Sequence, residues 1–251
     1  MRRTTWLVGV LALVVGSFVC APIRSATVAH DVRVRPLDEG LWLVESESDW
    51  NGATIGANAL ILATSEMVLM VDTPWTNEQT GYLLDWIDRE IGLPVRYLVV
   101  THGHQDRIGG IAEAHKRGIQ TLGFQGTTES AANHGYQPPQ TTFSDTLELD
   151  LGDDVARLLY PGPGHSADNI VVWFEKRRLL YGGCLVKNLT SQGLGYTGDA
   201  DLEAWPTSLA NVQGLAPDPT MVIPGHGEVG DAALIEHTVH LLDQHEKNLS
   251  R

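Results

Sequence analysis

The chain has 251 residues, enough for one large α/β domain or two small ones, and with 43% hydrophobic residues it can bury a substantial core. Lys and Arg total 17 against 31 Asp and Glu, a formal charge of -14. That balance excludes nucleic acid as a partner, because phosphates demand a basic face. No basic amphipathic stretch offers a membrane surface a docking face.

The N-terminus reads as a secretory leader. Arg2-Arg3 make a positive start, and residues 6–19 form an apolar run broken only by Gly9, Gly16 and Ser17, short for a membrane span. Small-residue cleavage points fall at Val19-Cys20-Ala21 and Thr27-Val28-Ala29. Residues 1–29 are therefore assigned to the leader and 30–251 to one mature domain, periplasmic or secreted, with no stable membrane association. Phe18-Val19 ahead of Cys20 lacks the small residues of a lipidation signal. Once Cys20 leaves, Cys184 is a lone thiol in an oxidising compartment. Burial can account for such a thiol; a metal ligand accounts for it better, because its neighbours are not those of a strand interior.

Residues 32–46 alternate as two strands about Asp38-Glu39-Gly40, and Asn51-Gly52 marks a hairpin before a strand at 59–62. Trp50, beside the hairpin tip, either covers a ligand as part of a flap or folds back on the sheet. Residues 68–71 read as a buried strand ending in Asp72, placed to orient a metal-binding histidine or to cap the next helix. Helical spacing over 80–91 and a second buried strand at 97–100 complete a βαβ unit with parallel pairing. That strand ends in Thr101, and His102-Gly103-His104-Gln105-Asp106-Arg107 follow before Gly109-Gly110 opens a helix over 111–117. Metal-binding side chains at the end of a buried strand lie where α/β folds place their chemistry.

Beyond it come a strand at 120–124, then a short helix and exposed connection over 127–142, with His134 on the surface. Strands at 146–151 and 155–160 lead to His165, in a Gly- and Pro-rich loop. A hairpin pair at 170–174 and 179–181 leads to Gly182-Gly183-Cys184. A helix over 201–212 restarts at Pro206, and a last strand at 220–223 ends in Pro224-Gly225-His226-Gly227. The tail over 231–249 is helical; its His237, His240 and His245 sit on a polar face and receive no role. Four strand ends thus deliver six metal-ligating residues.

These six divide between two ions. His102, His104 and His165 make a three-imidazole zinc site with one open position, and Asp106, Cys184 and His226 make a mixed site that also leaves room for solvent. Three protein ligands and an open position mark catalytic rather than structural zinc. Such a cation lowers the pKa of bound water to roughly neutral.

The motifs His102-Gly103-His104-Gln105-Asp106-Arg107-Ile108-Gly109-Gly110, Gly164-His165-Ser166-Ala167-Asp168-Asn169, Gly182-Gly183-Cys184-Leu185-Val186-Lys187 and Pro224-Gly225-His226-Gly227 resemble those of the class B metallo-β-lactamases, in the two-zinc subclass. Arg107 stands where glyoxalase-II-type relatives carry a further metal ligand, and Cys184 with Lys187 narrows the resemblance further. It implies an αββα sandwich, a monomer, and two Zn2+ per chain. It also implies hydrolysis of penicillins, cephalosporins and carbapenems without a covalent intermediate, conferring resistance. Asp106 would orient the attacking hydroxide, and Lys187 would bind the substrate carboxylate as a point charge. Arg107 and Asp72 would support the ligands from behind, and Trp50 and Tyr196 would contact substrate. Tyr196 replaces an asparagine that family members often carry to polarise the lactam carbonyl. The rival readings are a same-fold hydrolase of lactones, thioesters or other esters, and a zinc-binding protein that has lost turnover.

Overall fold

The computed structural model describes residues 25–29, 31–50 and 52–249. The apolar run at 6–19, Cys20 and the earlier cleavage point lie outside the described residues. Among the described residues, no helix is long and apolar enough to cross a membrane.

Strands β1 (Ala26–Ala29), β2 (Val32–Asp38), β3 (Leu41–Trp50), β4 (Ala53–Ala63) and β5 (Val68–Val71) run antiparallel. Helix α1 (Asn77–Glu90) then returns the chain so that β6 (Val95–Val99) pairs parallel with β5, as the βαβ reading predicts. Short helices α2 (Gln105–Ile108) and α3 (Ile111–Lys116) lead to parallel β7 (Gln120–Phe124); α4 (Thr127–Asn133) leads to parallel β8 (Thr141–Phe143), completing an eight-stranded sheet in chain order. The second sheet holds five strands, β9 (Thr146–Asp150), β10 (Val155–Leu159), β11 (Val171–Phe174), β12 (Leu179–Gly183) and β13 (Met221–Pro224). Between β12 and β13 runs α5 (Trp205–Leu215), and α6 (Ala233–Leu249) closes the chain.

Alternation along the strands sorts side chains into three apolar layers. On β4 and β5, Leu60, Leu62, Leu69 and Val71 face the second sheet, while Ile61, Val68 and Met70 meet Leu83, Leu84 and Ile87 of α1. Behind the second sheet, Trp173, Leu180 and Val222 pack with Trp205, Leu209 and Val212 of α5 and with Leu234 and Leu241 of α6. The result is the αββα sandwich that the family resemblance implies.

Several boundaries differ from the sequence reading. Helix α1 starts at Asn77 rather than 80, because Thr76 caps it by accepting from the Gln79 amide at 3.1 Å. Asp72 is therefore not its cap. Asp106 lies on the short helix α2, which precedes the helix read from 111. Pro206 falls in the first turn of α5, whose start it marks. Strand β8 lies in the segment read as an exposed connection, too short to show alternation. Ala26–Ala29, ahead of the later of the two cleavage points, pair with β2 as an edge strand.

Candidate metal centre

The six ligand types meet where β6, β10, β12 and β13 end. His102 Nε2 lies 3.0 Å from His104 Nδ1, which lies 3.2 Å from His165 Nε2. Beside them, Cys184 Sγ is 3.5 Å from Asp106 Oδ2 and 3.4 Å from His226 Nε2, and those two are 3.1 Å apart. Donor atoms about 2.0–2.3 Å from a tetrahedral zinc stand roughly 3.3–3.8 Å from one another. Both triads thus have nearly the spacing that one shared cation imposes. Gly225 must be glycine, since a Cβ there would lie 2.6 Å from the Cys184 sulfur.

The electrostatics agree. Burial holds His102 and His165 well below the usual imidazole range, so both are neutral, as metal ligands must be. Burial alone would raise Asp106, but Arg107 and then His226 outweigh it and hold the carboxyl well below its usual range. Burial likewise opposes charge on His226, yet electrostatic attraction to Cys184 and hydrogen bonds to Asp106 and Cys184 push it up to about 9. The second triad therefore attracts a cation, and in the metal-free protein a proton on His226 meets that demand. A divalent metal fits both triads.

Fixed partners orient the ligands. His226 Nδ1 donates to the Gly56 carbonyl at 2.6 Å, which turns Nε2 inward. The Gly103 amide donates to the buried carboxylate of Asp168 at 2.9 Å, shaping the turn between the two histidines. His104 Nε2 meets Asp199 Oδ2 at 2.9 Å. Asn58 donates to the carbonyls of Pro224 and Gly227, on either side of His226. Sequence reasoning assigned no role to Asp168, Asp199 or Asn58.

Arg107 is fully buried behind the second triad. It donates to Asp106 Oδ2 at 2.9 and 2.7 Å and to the Gly225 carbonyl at 2.7 Å. Asp72, in the left-handed region with φ 63°, accepts from the Thr101 amide and hydroxyl at 2.7 and 2.9 Å and from Tyr181 at 2.8 Å, with Arg107 at 3.4 Å. Burial pushes its carboxyl up to about 6 against the pull of Arg107. Asp72 thus fixes the residue before His102 and touches no metal-binding histidine, which corrects the expectation that it orients one directly.

A cavity of about 700 Å³ opens over the two triads, lined by Trp50, Trp75, His104, Lys187, Tyr196 and His226 among others. Lys187 is only 8% exposed; its ammonium lies 5.3 Å from the Trp205 ring, and its amide donates to Thr238. Burial lowers its pKa, opposed by the charges of Cys184 and Asp106. Trp50 is 46% exposed at the cavity wall, 6.5 Å from Trp75, rather than folded into the core. Tyr196 is 53% exposed, with its ring edge-on to His104. His134 is exposed, as the sequence reading has it, and also lines the mouth of this cavity, its ring 5.1 Å from that of His104.

Two sheets between helical layers, with paired metal-ligating triads at the strand ends, define a metal-dependent hydrolase. Comparison with known proteins agrees. The pattern of the metallo-beta-lactamase superfamily matches residues 53–226. A metallo-beta-lactamase type 2 from Bacillus sp. (strain 170) is 36% identical over 211 residues, covering 84% of this chain and 82% of that protein. One from Bacillus cereus is 33% identical over 255 residues, covering 96% and 100%. Among solved structures, a metallo-beta-lactamase from Pontibacter korlensis matches with a TM-score of 0.82 at 34% identity, covering 84% of this chain and 99% of that one. This chain belongs to the metallo-β-lactamase superfamily.

Proposed function

We propose that the protein hydrolyses the β-lactam amide of penicillins, cephalosporins and carbapenems, using two zinc ions. The observation that carries this reading is the juxtaposition of the two triads, with donor spacings of 3.0–3.5 Å, and a buried cation, Lys187, in the wall of the same cavity. His102, His104 and His165 would hold one zinc, and Asp106, Cys184 and His226 the other. Bound zinc supplies Lewis acidity, makes water acidic enough to attack at neutral pH, and stabilises the charge of the departing nitrogen.

The chain's own groups do the rest. Lys187 Nζ, poorly solvated and facing the cavity, recruits the carboxylate that these substrates share. Asp106 Oδ2, fixed by two Arg107 bonds, orients the attacking water as well as binding metal. Trp50 and Trp75 supply an apolar wall for the fused rings. Tyr196, edge-on to His104, adds a second wall. Water adds across the C–N bond, leaving a carboxylate and a ring amine. In the cell this reading places the mature protein, as a monomer, in the periplasm or outside, where it confers β-lactam resistance. Leader cleavage near Ala21 would preserve β1.

The test is hydrolysis of a carbapenem and a chromogenic cephalosporin by purified mature protein, with and without a chelator and with zinc restored. Opening of both rings, lost on chelation and regained with zinc, is the expected result. Absence of hydrolysis with two zinc ions bound would overturn the reading in favour of an ester or lactone substrate.

A further inference from the structure

The end of α4 and the loop preceding α5 meet at the cavity mouth, next to the three-histidine triad but outside it. His134 directly follows α4, and its Nδ1 donates to the Ser130 carbonyl at 2.8 Å. In the neutral ring that bond keeps the proton on Nδ1 and leaves a lone pair on Nε2. Nε2 faces Asp199 Oδ2 at 3.5 Å, a separation close to that of two ligand atoms on one cation. The Asp199 carboxylate already meets His104 Nε2 at 2.9 Å. Ligand atoms of His104, His134 and Asp199 all lie within 4.8 Å of one another. The His134 and Asp199 side chains are 34% and 41% exposed, so water reaches both. An imidazole nitrogen and a carboxylate oxygen at this spacing, both open to solvent, form a donor set suited to a divalent transition metal.

We propose that His134 Nε2 and the Asp199 carboxylate form an auxiliary divalent-cation site at the cavity mouth, separate from the two triads, with water filling its other positions. His104 is not a ligand there, because Nδ1 faces the first triad and Nε2 carries the proton given to Asp199. The auxiliary ion therefore shares a carboxylate with the network that orients His104. With two protein donors it binds more weakly than the ions in the triads, and copper(II) binds it more tightly than zinc. Its position beside the cavity makes zinc in excess slow the passage of substrate. The inference rests on the His134–Asp199 pair and not on the identity of the substrate.

The experiment counts protein-bound metal. Protein loaded at both triads is dialysed against graded zinc, alongside His134→Ala and Asp199→Asn, the second of which keeps an acceptor for His104 but removes the charge. The expected result is two tightly held equivalents and a weaker third, with the third lost in His134→Ala and weakened in Asp199→Asn. Excess zinc slows turnover of the unaltered protein, and that slowing disappears in His134→Ala. A third equivalent absent from the unaltered protein overturns the proposal. So does one that persists unchanged in His134→Ala, which would point to histidines of α6 such as His240. Fewer than two tight equivalents would count against the two-triad reading instead, and the auxiliary site would still stand or fall on whether His134→Ala releases one ion.

Discussion

Cys184 shows most directly how one residue divides the centre. Its sulfur closes the second triad at 3.4–3.5 Å from its partners and also lies within 4.8 Å of a ligand nitrogen of His102. In Cys184→Ser the hydroxyl stays protonated and offers neither the charge nor the softness of a thiolate. The expected outcome is a fall from two bound zinc ions toward one after dialysis and a turnover about 10–100-fold lower. Unchanged metal content and rate would show the second triad to be misassigned. At this scale the ligands were legible in the sequence because each sits in a short glycine-rich turn after an apolar strand, where few structural roles call for His, Cys or Asp. Of their supports, Arg107 and Asp72 were also singled out, but Asp168 and Asp199 were not: Asp168 reaches Gly103 across 65 residues and Asp199 reaches His104 across 95. Nothing local distinguishes those aspartates from surface caps; His134 is exposed as read, but that Asp199 meets it is decided only in the folded chain.

Among the elements, the β3–β4 hairpin is the one whose tip bears on the cavity. Its strands pair in unbroken register from Leu41 with Leu62 to Trp50 with Ala53, so the turn is held by a long ladder while Trp50 stays partly free. An exposed aromatic on such a hairpin contributes to substrate affinity and little to stability. Trp50→Ala should raise KM for a bicyclic substrate about tenfold, a loss of roughly 1.4 kcal/mol. It should change kcat and the melting temperature little. A collapse of kcat with unchanged KM in steady-state kinetics would remove the flap role. Asn51-Gly52 announced the hairpin, since that pair suits the tight turns joining twisted strands. Where the hairpin lies over the site was not written locally. Strand β8 escaped notice for the opposite reason: three residues cannot display a period, and Thr141–Phe143 are a strand only because β7 lies alongside.

For the molecule as a whole, the centre joins the two sheets. His102, His104 and Asp106 follow a strand of the eight-stranded sheet; His165, Cys184 and His226 follow strands of the other. Cations bound across that junction stabilise the native state alone, by about 2.7 kcal/mol for each ion present at 100 times its dissociation constant. For a domain of this size chelation should lower the melting temperature by about 5–10 °C for each ion removed, with recovery on adding zinc. A melt insensitive to chelator, in protein shown to bind zinc, would mean that the sheets do not depend on the metal for their junction.

The sequence by itself determined which residues are chemically able to hold metal, the strand ends that carry them, and the βαβ unit around the first motif. Those properties follow from composition, period and turn chemistry over a few neighbouring residues. Only the tertiary structure decided that His102, His104 and His165 converge to within 3.0–3.2 Å, that Lys187 is buried rather than solvated, and that Asp199 joins His104 to His134. Distances between residues far apart in the chain are set by how the two sheets pack on their shared apolar core, and local pattern carries no information about that packing.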